Sequence, residues 1–173
     1  DDTSEFLSQY HDIPFKGEVP ENITPNSPVR NYPYYMNFAG ERLLITGGGH
    51  IANRLDRPGT IMTFENNTWN SFQEEGISEQ TKHRYDDINC IVQDPKDVAH
   101  HFAASAGEGI YEFKDGKFIN WYSMHNSPLE SAVPNEPWAD SYVRVNGLIY
   151  DKENNLWMVS CETQHAVSVL MKN

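Results

Sequence analysis

Residues 88–94, Ile-Asn-Cys-Ile-Val-Gln-Asp, return in kind as residues 145–151, Val-Asn-Gly-Leu-Ile-Tyr-Asp. Each copy is a short apolar run that ends on a turn aspartate, Asp94 or Asp151, and the offset is 57 residues. Self-similarity at a fixed spacing decides architecture early, because each copy is one supersecondary unit that needs neighbours to bury its apolar face. A second pair joins residues 64–72, Phe-Glu-Asn-Asn-Thr-Trp-Asn-Ser-Phe, to residues 113–121, Phe-Lys-Asp-Gly-Lys-Phe-Ile-Asn-Trp, at an offset of 49. Both members read aromatic, turn, aromatic, aromatic, the pattern of a hairpin. Asn26-Ser27-Pro28-Val29 and Asn126-Ser127-Pro128-Leu129 stand 100 residues apart, about two such periods.

Between the repeats the chain is strand-like throughout. Runs at 43–45, 88–93, 109–113, 117–122 and 156–160 are β-branched or aromatic, and Asn66-Asn67, Asp94-Pro95, Asp115-Gly116 and Asn154-Asn155 punctuate them. Asp115-Gly116 is the strongest hairpin signal, since type I′ turns need positive φ at both central residues. Residues 77–84 are the best helical candidate but lack apolar spacing at the helical period, so essentially no helix is expected. Four short strands in about 40 to 50 residues describe a β-propeller blade. The expected fold is therefore all-β, a partial β-propeller of about three four-stranded antiparallel blades. Residues 34–72 make the first blade, with an enlarged loop from Gly47 to Pro58. Residues 88–122 make the second, and 142–173 make a third that lacks its fourth strand. Residues 1–30 read as the tail of a preceding segment and an inter-blade link, leaving 31–173 as the partial propeller.

Composition bounds the function. The chain of 173 residues is about one domain in length, two small ones at the outside, and 38% hydrophobic with 12% aromatic residues is a folded composition. Thirteen Lys and Arg against 25 Asp and Glu leave a charge of −12, which argues against nucleic acid and against anionic lipid surfaces as partners. No apolar run reaches the roughly 20 residues of a membrane helix. Cys90 and Cys161 make neither a disulfide framework nor a zinc motif. Opening at Asp1 with neither Met nor an apolar leader is expected of a processed or trimmed chain.

Asp151-Lys152-Glu153-Asn154-Asn155-Leu156-Trp157-Met158 resembles the core of two-component-regulator propeller repeats, with Asn154 where those repeats carry a turn glycine. Residues 109–113 followed by Asp115-Gly116 look like their third strand and hairpin. Arg30-Asn31-Tyr32-Pro33-Tyr34, Gly47-Gly48-Gly49 and Arg57-Pro58-Gly59 resemble the propeller region of PorZ-type surface proteins, which are associated with type IX secretion in Bacteroidetes. The resemblance covers residues 30–171. It implies a piece of a longer protein at the periplasmic or outer-membrane surface, and Asp94, Asp115, Gly116, Asp151, Asn155 and Trp157 as structural repeat positions.

Residue by residue, little catalytic chemistry stands out. Gly47-Gly48-Gly49-His50 matches neither a P-loop nor a dinucleotide fingerprint and reads as a bulged loop. On that loop, Arg54 and Arg57 are candidate ligand contacts, because long loops on a rigid scaffold are where function collects. His100 and His101 are adjacent on a strand and point to opposite faces, so they cannot share an ion. His83 and His125 lack a ligand partner at an established spacing, and neither a metal nor another cofactor is expected. Glu162 and His165 follow Trp157 as the kind of Glu/His pair that propeller lyases use, against a reading as solvated loop. Glu74, Glu75, Asp86, Asp87 and Glu108 are expected in turns, as a solubilising acidic surface. Cys90 stands at the place of Gly147 and is expected to be small and buried, and Trp69, Trp121 and Trp157 as inter-blade core. Asn22-Ile23-Thr24 and Asn66-Asn67-Thr68 match the glycosylation pattern, by coincidence if the bacterial resemblance holds. Trp138, in the Pro-rich link 134–140, offers a flat face to a sugar ring or a partner's apolar group.

The leading functional expectation is a non-enzymatic scaffold for a protein or glycan partner. An oligosaccharide-sensing periplasmic domain of a hybrid two-component receptor is the alternative, and a propeller lyase or glycosidase the third. Three blades cannot close a ring, so the chain is expected to self-associate or to join the remainder of a longer parent. The apolar runs 43–45 and 156–160 would be left open, with an unpaired edge at 166–171.

Overall fold

The computed structural model describes residues 26–49 and 54–172. Asn22-Ile23-Thr24, His50 and most of the leading segment therefore lie outside the described residues. The rest is all-β, in three antiparallel sheets whose strands follow one another in chain order. The first sheet comprises β1 (Tyr35–Ala39), β2 (Arg42–Thr46), β3 (Ile61–Glu65) and β4 (Thr68–Ser71). The second comprises β5 (Ile88–Asp94), β6 (Asp97–Ser105), β7 (Ile110–Lys114) and β8 (Lys117–Tyr122). The third has only β9 (Val145–Tyr150), β10 (Leu156–Ser160) and β11 (Val167–Leu170).

The turn chemistry explains the hairpins. Asn66 and Asn67 between β3 and β4 have φ of 50° and 58°, and Asp115 and Gly116 between β7 and β8 have 53° and 71°. Positive φ at both positions matches the twist of the flanking strands. Asn154, with φ 72°, takes the left-handed conformation that a glycine would otherwise supply.

Strand alternation then splits the second sheet between two cores. Ile91, Ala103, Tyr111 and Phe113 are buried with Leu44, Ile61 and Phe72 of the first sheet's side. Cys90, Phe102, Ala104 and Ile110 are buried with Val143, Val145, Leu156 and Met158 of the third sheet's side. Among the described residues the second sheet is thus covered on both faces, and the outer sheets each on one. On the third sheet Ile149, Trp157, Val159, Val167 and Val169 face outward and are exposed. They are cross-strand neighbours, Trp157 pairing with both Ile149 and Val169, so they form one apolar face.

Three expectations are corrected. Residues Ile77–Thr81 do form a short helix, α1, and Ala139–Tyr142 a 3₁₀ turn. Helix α1 rests on one residue, Ile77, buried in the first core, and on the Thr81 hydroxyl donating back to the Ile77 carbonyl at 3.0 Å, neither of which shows as a period. Trp157 is not core: its neighbours Leu156 and Met158 point inward, so the two-residue alternation turns it outward. In the first sheet Leu44 and Ile45 are buried, and the exposed apolar groups are Met36 and Phe38 on the edge strand β1.

Candidate functional site

All loops that leave β2, β4, β6, β8 and β10 emerge at one rim of the three sheets, as the strand order requires. Four of them converge there on a cluster of charge. Asp87 immediately precedes β5 and is 1% exposed; its carboxylate accepts the backbone N–H groups of Leu55 and Asp56 on Oδ2 and of Arg57 on Oδ1, at 2.9–3.2 Å. One buried aspartate thereby pins the long β2–β3 loop against the start of the second sheet. The pinned loop presents Arg54, whose Nη2 donates to Glu108 Oε1 at 3.0 Å and lies 3.5 Å from Asp86 Oδ1, while Nη1 donates to the Ser141 carbonyl at 3.0 Å.

Glu108 sits in the β6–β7 turn with no exposed surface. Its Oε2 lies 3.4 Å from His83 Nδ1, and its carbonyl accepts the Trp121 indole N–H at 2.6 Å. Trp121 in turn stacks on the His83 ring, with centroids 4.5 Å apart. Arg84 closes the cluster from above, its Nη2 at 2.7 Å from Asp56 Oδ1 and 2.5 Å from Asp86 Oδ2. The Arg84 carbonyl accepts the Tyr111 hydroxyl at 2.6 Å, which fixes this loop to the second sheet.

Burial pushes the Asp86 carboxyl above its usual range, and the Arg84 and Arg54 guanidiniums oppose that shift. Arg84 is held above its ordinary value despite burial, through Asp56, Asp86 and Glu108. Burial pushes the Tyr111 phenol well up. The carboxylates of Asp56, Asp86 and Asp87 approach within 4.8 Å of one another. Arg84 lies beside Asp56 and Asp86, Arg54 beside Asp86, and three backbone N–H groups hold Asp87, so two guanidiniums face three carboxylates in an ion-pair cage.

Above the cage lies an open cleft walled by Asp56, Ser78, His83 and Arg84 on one side and by Trp138 and Asp140 on the other. Trp138 is 54% exposed, which is high for so large an apolar side chain. Exposed Trp beside paired guanidinium and carboxylate groups can stack on a flat ligand face while hydrogen bonding its rim.

Of the residues singled out from sequence, Trp138 and Arg54 belong to this rim. Arg57 faces away, donating to the Gly48 carbonyl at 3.1 Å and lying 5.1 Å over the Tyr32 ring. Glu162 and His165 do not form a pair. Glu162 bridges to Arg144, whereas the backbone N–H and Nδ1 of His165 lie 2.9 and 2.6 Å from the two Glu130 oxygens. The expectation of a solvated acidic surface fails for Asp86, Asp87 and Glu108, all buried, and Glu74 is half-buried beside Arg30 at 2.8 Å. Their countercharges lie far along the chain, 54 residues for Arg54 and Glu108, so no local pattern announces them.

The repeat residues form a clasp of their own. Asp151 accepts the Asn155 backbone N–H at 2.8 Å, the Asn155 amide at 2.9 Å and the Trp157 indole at 2.7 Å. The indole bond first, and then the Asn155 bonds, hold the Asp151 carboxyl down to about 2. Asp94 Oδ1 similarly accepts the Lys96 backbone N–H at 2.8 Å and the Asn154 amide at 3.2 Å.

No protein-family model matches the chain, and no curated protein does. Among solved structures it is similar to PorZ, described as an essential bacterial surface component of the type IX secretion system of the human oral-microbiomic Porphyromonas gingivalis. The TM-score is 0.75 at 25% identity, over 87% of this chain and 20% of PorZ, so the chain spans about a fifth of that protein's length.

Proposed function

We propose that the chain is a segment of a β-propeller and works as a non-catalytic binding scaffold in an extracytoplasmic surface protein of the type IX secretion kind. The three successive antiparallel sheets, two of them four-stranded, and the likeness to a secretion-system surface component support this reading. Among the described residues no helix is long and apolar enough to cross a membrane. The observation that carries the binding role is the rim cleft, where Trp138 stands exposed beside carboxylates that lie against guanidiniums and backbone N–H groups. A rigid cage under an exposed aromatic is suited to holding a protein or glycan partner. The apolar outer face of the third sheet is suited to a further sheet, from the remainder of a parent protein or from a second copy.

Binding is tested with the whole chain and its Trp138→Ala variant on a glycan array and in pull-downs from cell-envelope extract. The proposal expects capture by the wild type and loss with Trp138→Ala at an unchanged melting temperature. Equal capture by both proteins would remove the cleft from the account.

A further inference from the structure

The two Asn-Ser-Pro copies share a task that the repeat pattern alone does not reveal. Asn126 Nδ2 donates to the Trp121 carbonyl at 2.7 Å, and its Oδ1 accepts the Ser123 backbone N–H at 2.8 Å. Asn26 makes the same two bonds on the first sheet, donating to the Asn67 carbonyl at 2.7 Å and accepting the Trp69 N–H at 2.8 Å. In each case one side-chain amide spans a carbonyl and the N–H two residues further on. Those are groups that an adjoining strand would otherwise bond.

The outer strand of the second sheet is treated this way along its length. Gln73, in the link after β4, donates its backbone N–H to the Gly116 carbonyl at 2.8 Å and accepts the Phe118 N–H on Oε1 at 3.1 Å. Between the two clasps the Trp121 N–H donates to Asn120 Oδ1 at 2.9 Å. β8 pairs with β7 and is last in its sheet, so the capped groups lie on its outer edge. The strand beneath the caps has the composition of a self-pairing segment. Lys117-Phe118-Ile119-Asn120-Trp121-Tyr122 holds four aromatic or β-branched residues, one charge, and neither Pro nor Gly. Ile119 is exposed on it.

We propose that Gln73, Asn120 and Asn126 form an edge guard, whose amide groups occupy the outer edge of β8 and keep it from pairing with the β8 edge of a second copy of this chain. The excluded occupant is set by the strand itself, since a segment of this composition pairs readily with its own copies. Two β8 edges can meet antiparallel about a two-fold axis, which gives both copies the same contact. Amide side chains suit the task because each holds a donor and an acceptor on one uncharged planar group. The inference does not rest on the binding role of the rim cleft.

The test uses the full chain carrying Trp157→Lys/Val159→Lys, so that the exposed face of the third sheet adds nothing to association. Gln73→Ala/Asn120→Ala/Asn126→Ala in that background should keep the circular dichroism of its parent. In sedimentation velocity it should associate at micromolar concentration, where the parent stays monomeric. Hydrogen exchange at Phe118, Trp121 and Ser123 should speed about tenfold or more in the dilute monomer and slow again on association. Adding Ile119→Lys, a charge on the freed edge, should restore the monomer. A triple variant as monomeric as its parent at tens of micromolar overturns the proposal. So does association that leaves these amides unprotected, or that Ile119→Lys does not weaken. Should the triple variant fold poorly, Asn126→Ala alone keeps the test. It should speed exchange at Ser123 and associate more readily than its parent, and failure of either overturns the guard.

Discussion

Replacing Arg54 by Met keeps most of its aliphatic stem and removes its charge, so Glu108 is left without its guanidinium partner. The gross attraction of a pair at 3.0 Å is about 5.5 kcal/mol at an effective dielectric of about 20. Desolvation consumes most of that in the intact pair, but the balance changes when one member is lost. Glu108 has no exposed surface and His83 at 3.4 Å is a poor substitute, so its burial cost becomes uncompensated. Breaking a buried pair in this way costs about 3–5 kcal/mol. Glu108→Gln should cost less, about 1–2 kcal/mol, because Arg54 retains the Ser141 carbonyl and the Asp86 carboxylate. In the double variant no buried charge is stranded, so its cost should fall short of the sum by about 2 kcal/mol. Urea unfolding followed by tryptophan fluorescence, with equal m-values across the four proteins, measures all three differences. A loss below 1 kcal/mol for Arg54→Met, or strict additivity, would refute the idea that this pair clamps the rim.

Two further outcomes follow from the core and the turns. His101 is buried against Gln93 and Phe72, and burial lowers its pKa from 6.5 to about 4. The unfolded chain therefore takes up a proton near pH 6.5 that the folded chain refuses, and stability attributable to this group falls between about pH 6.5 and 4 by on the order of 3 kcal/mol; His101→Leu should flatten that part of the stability–pH curve, and an unchanged slope would contradict it. Gly116→Val should cost about 1 kcal/mol or more, since φ is 71° while the nearest atom to an added Cβ stands 3.6 Å away, so the penalty is backbone strain without a clash. A neutral result in the same urea assay would place the strain elsewhere.

The fold was largely legible because its determinants are local. Asp115-Gly116 and Asn66-Asn67 name their own turn type, and the strand runs around them alternate with period two. The offsets between the copies reported which strands hold equivalent places in successive sheets. What escaped sequence reading is whatever depends on partners distant along the chain. Asp86, Asp87 and Glu108 look like any solvated acidic turn until Arg54, Arg84 and the loop amides at 55–57 come to meet them. Trp157 was misjudged by one step of alternation: the strand was right and the face was wrong, because a ring that donates to Asp151 can lie flat on the outer surface. Helix α1 escaped because a single buried side chain, Ile77, decides it. In the candidate site, Trp138 and Arg54 were accessible as an aromatic in a Pro-rich link and a cation on a long loop, whereas the cage that joins them is tertiary.

As successive units of the proposed larger arrangement, these sheets should meet a further surface at the exposed apolar face of the third. Sedimentation velocity across nanomolar to tens-of-micromolar concentration, on the wild type and on the Trp157→Lys/Val159→Lys double variant, tests it most directly. Both residues are exposed on that face and β10 keeps its inward Leu156 and Met158, so the variant should remain folded. The account predicts reversible association of the wild type in the micromolar range and a monomeric variant with the same circular dichroism. A wild type that stays monomeric and folded at every concentration would contradict it.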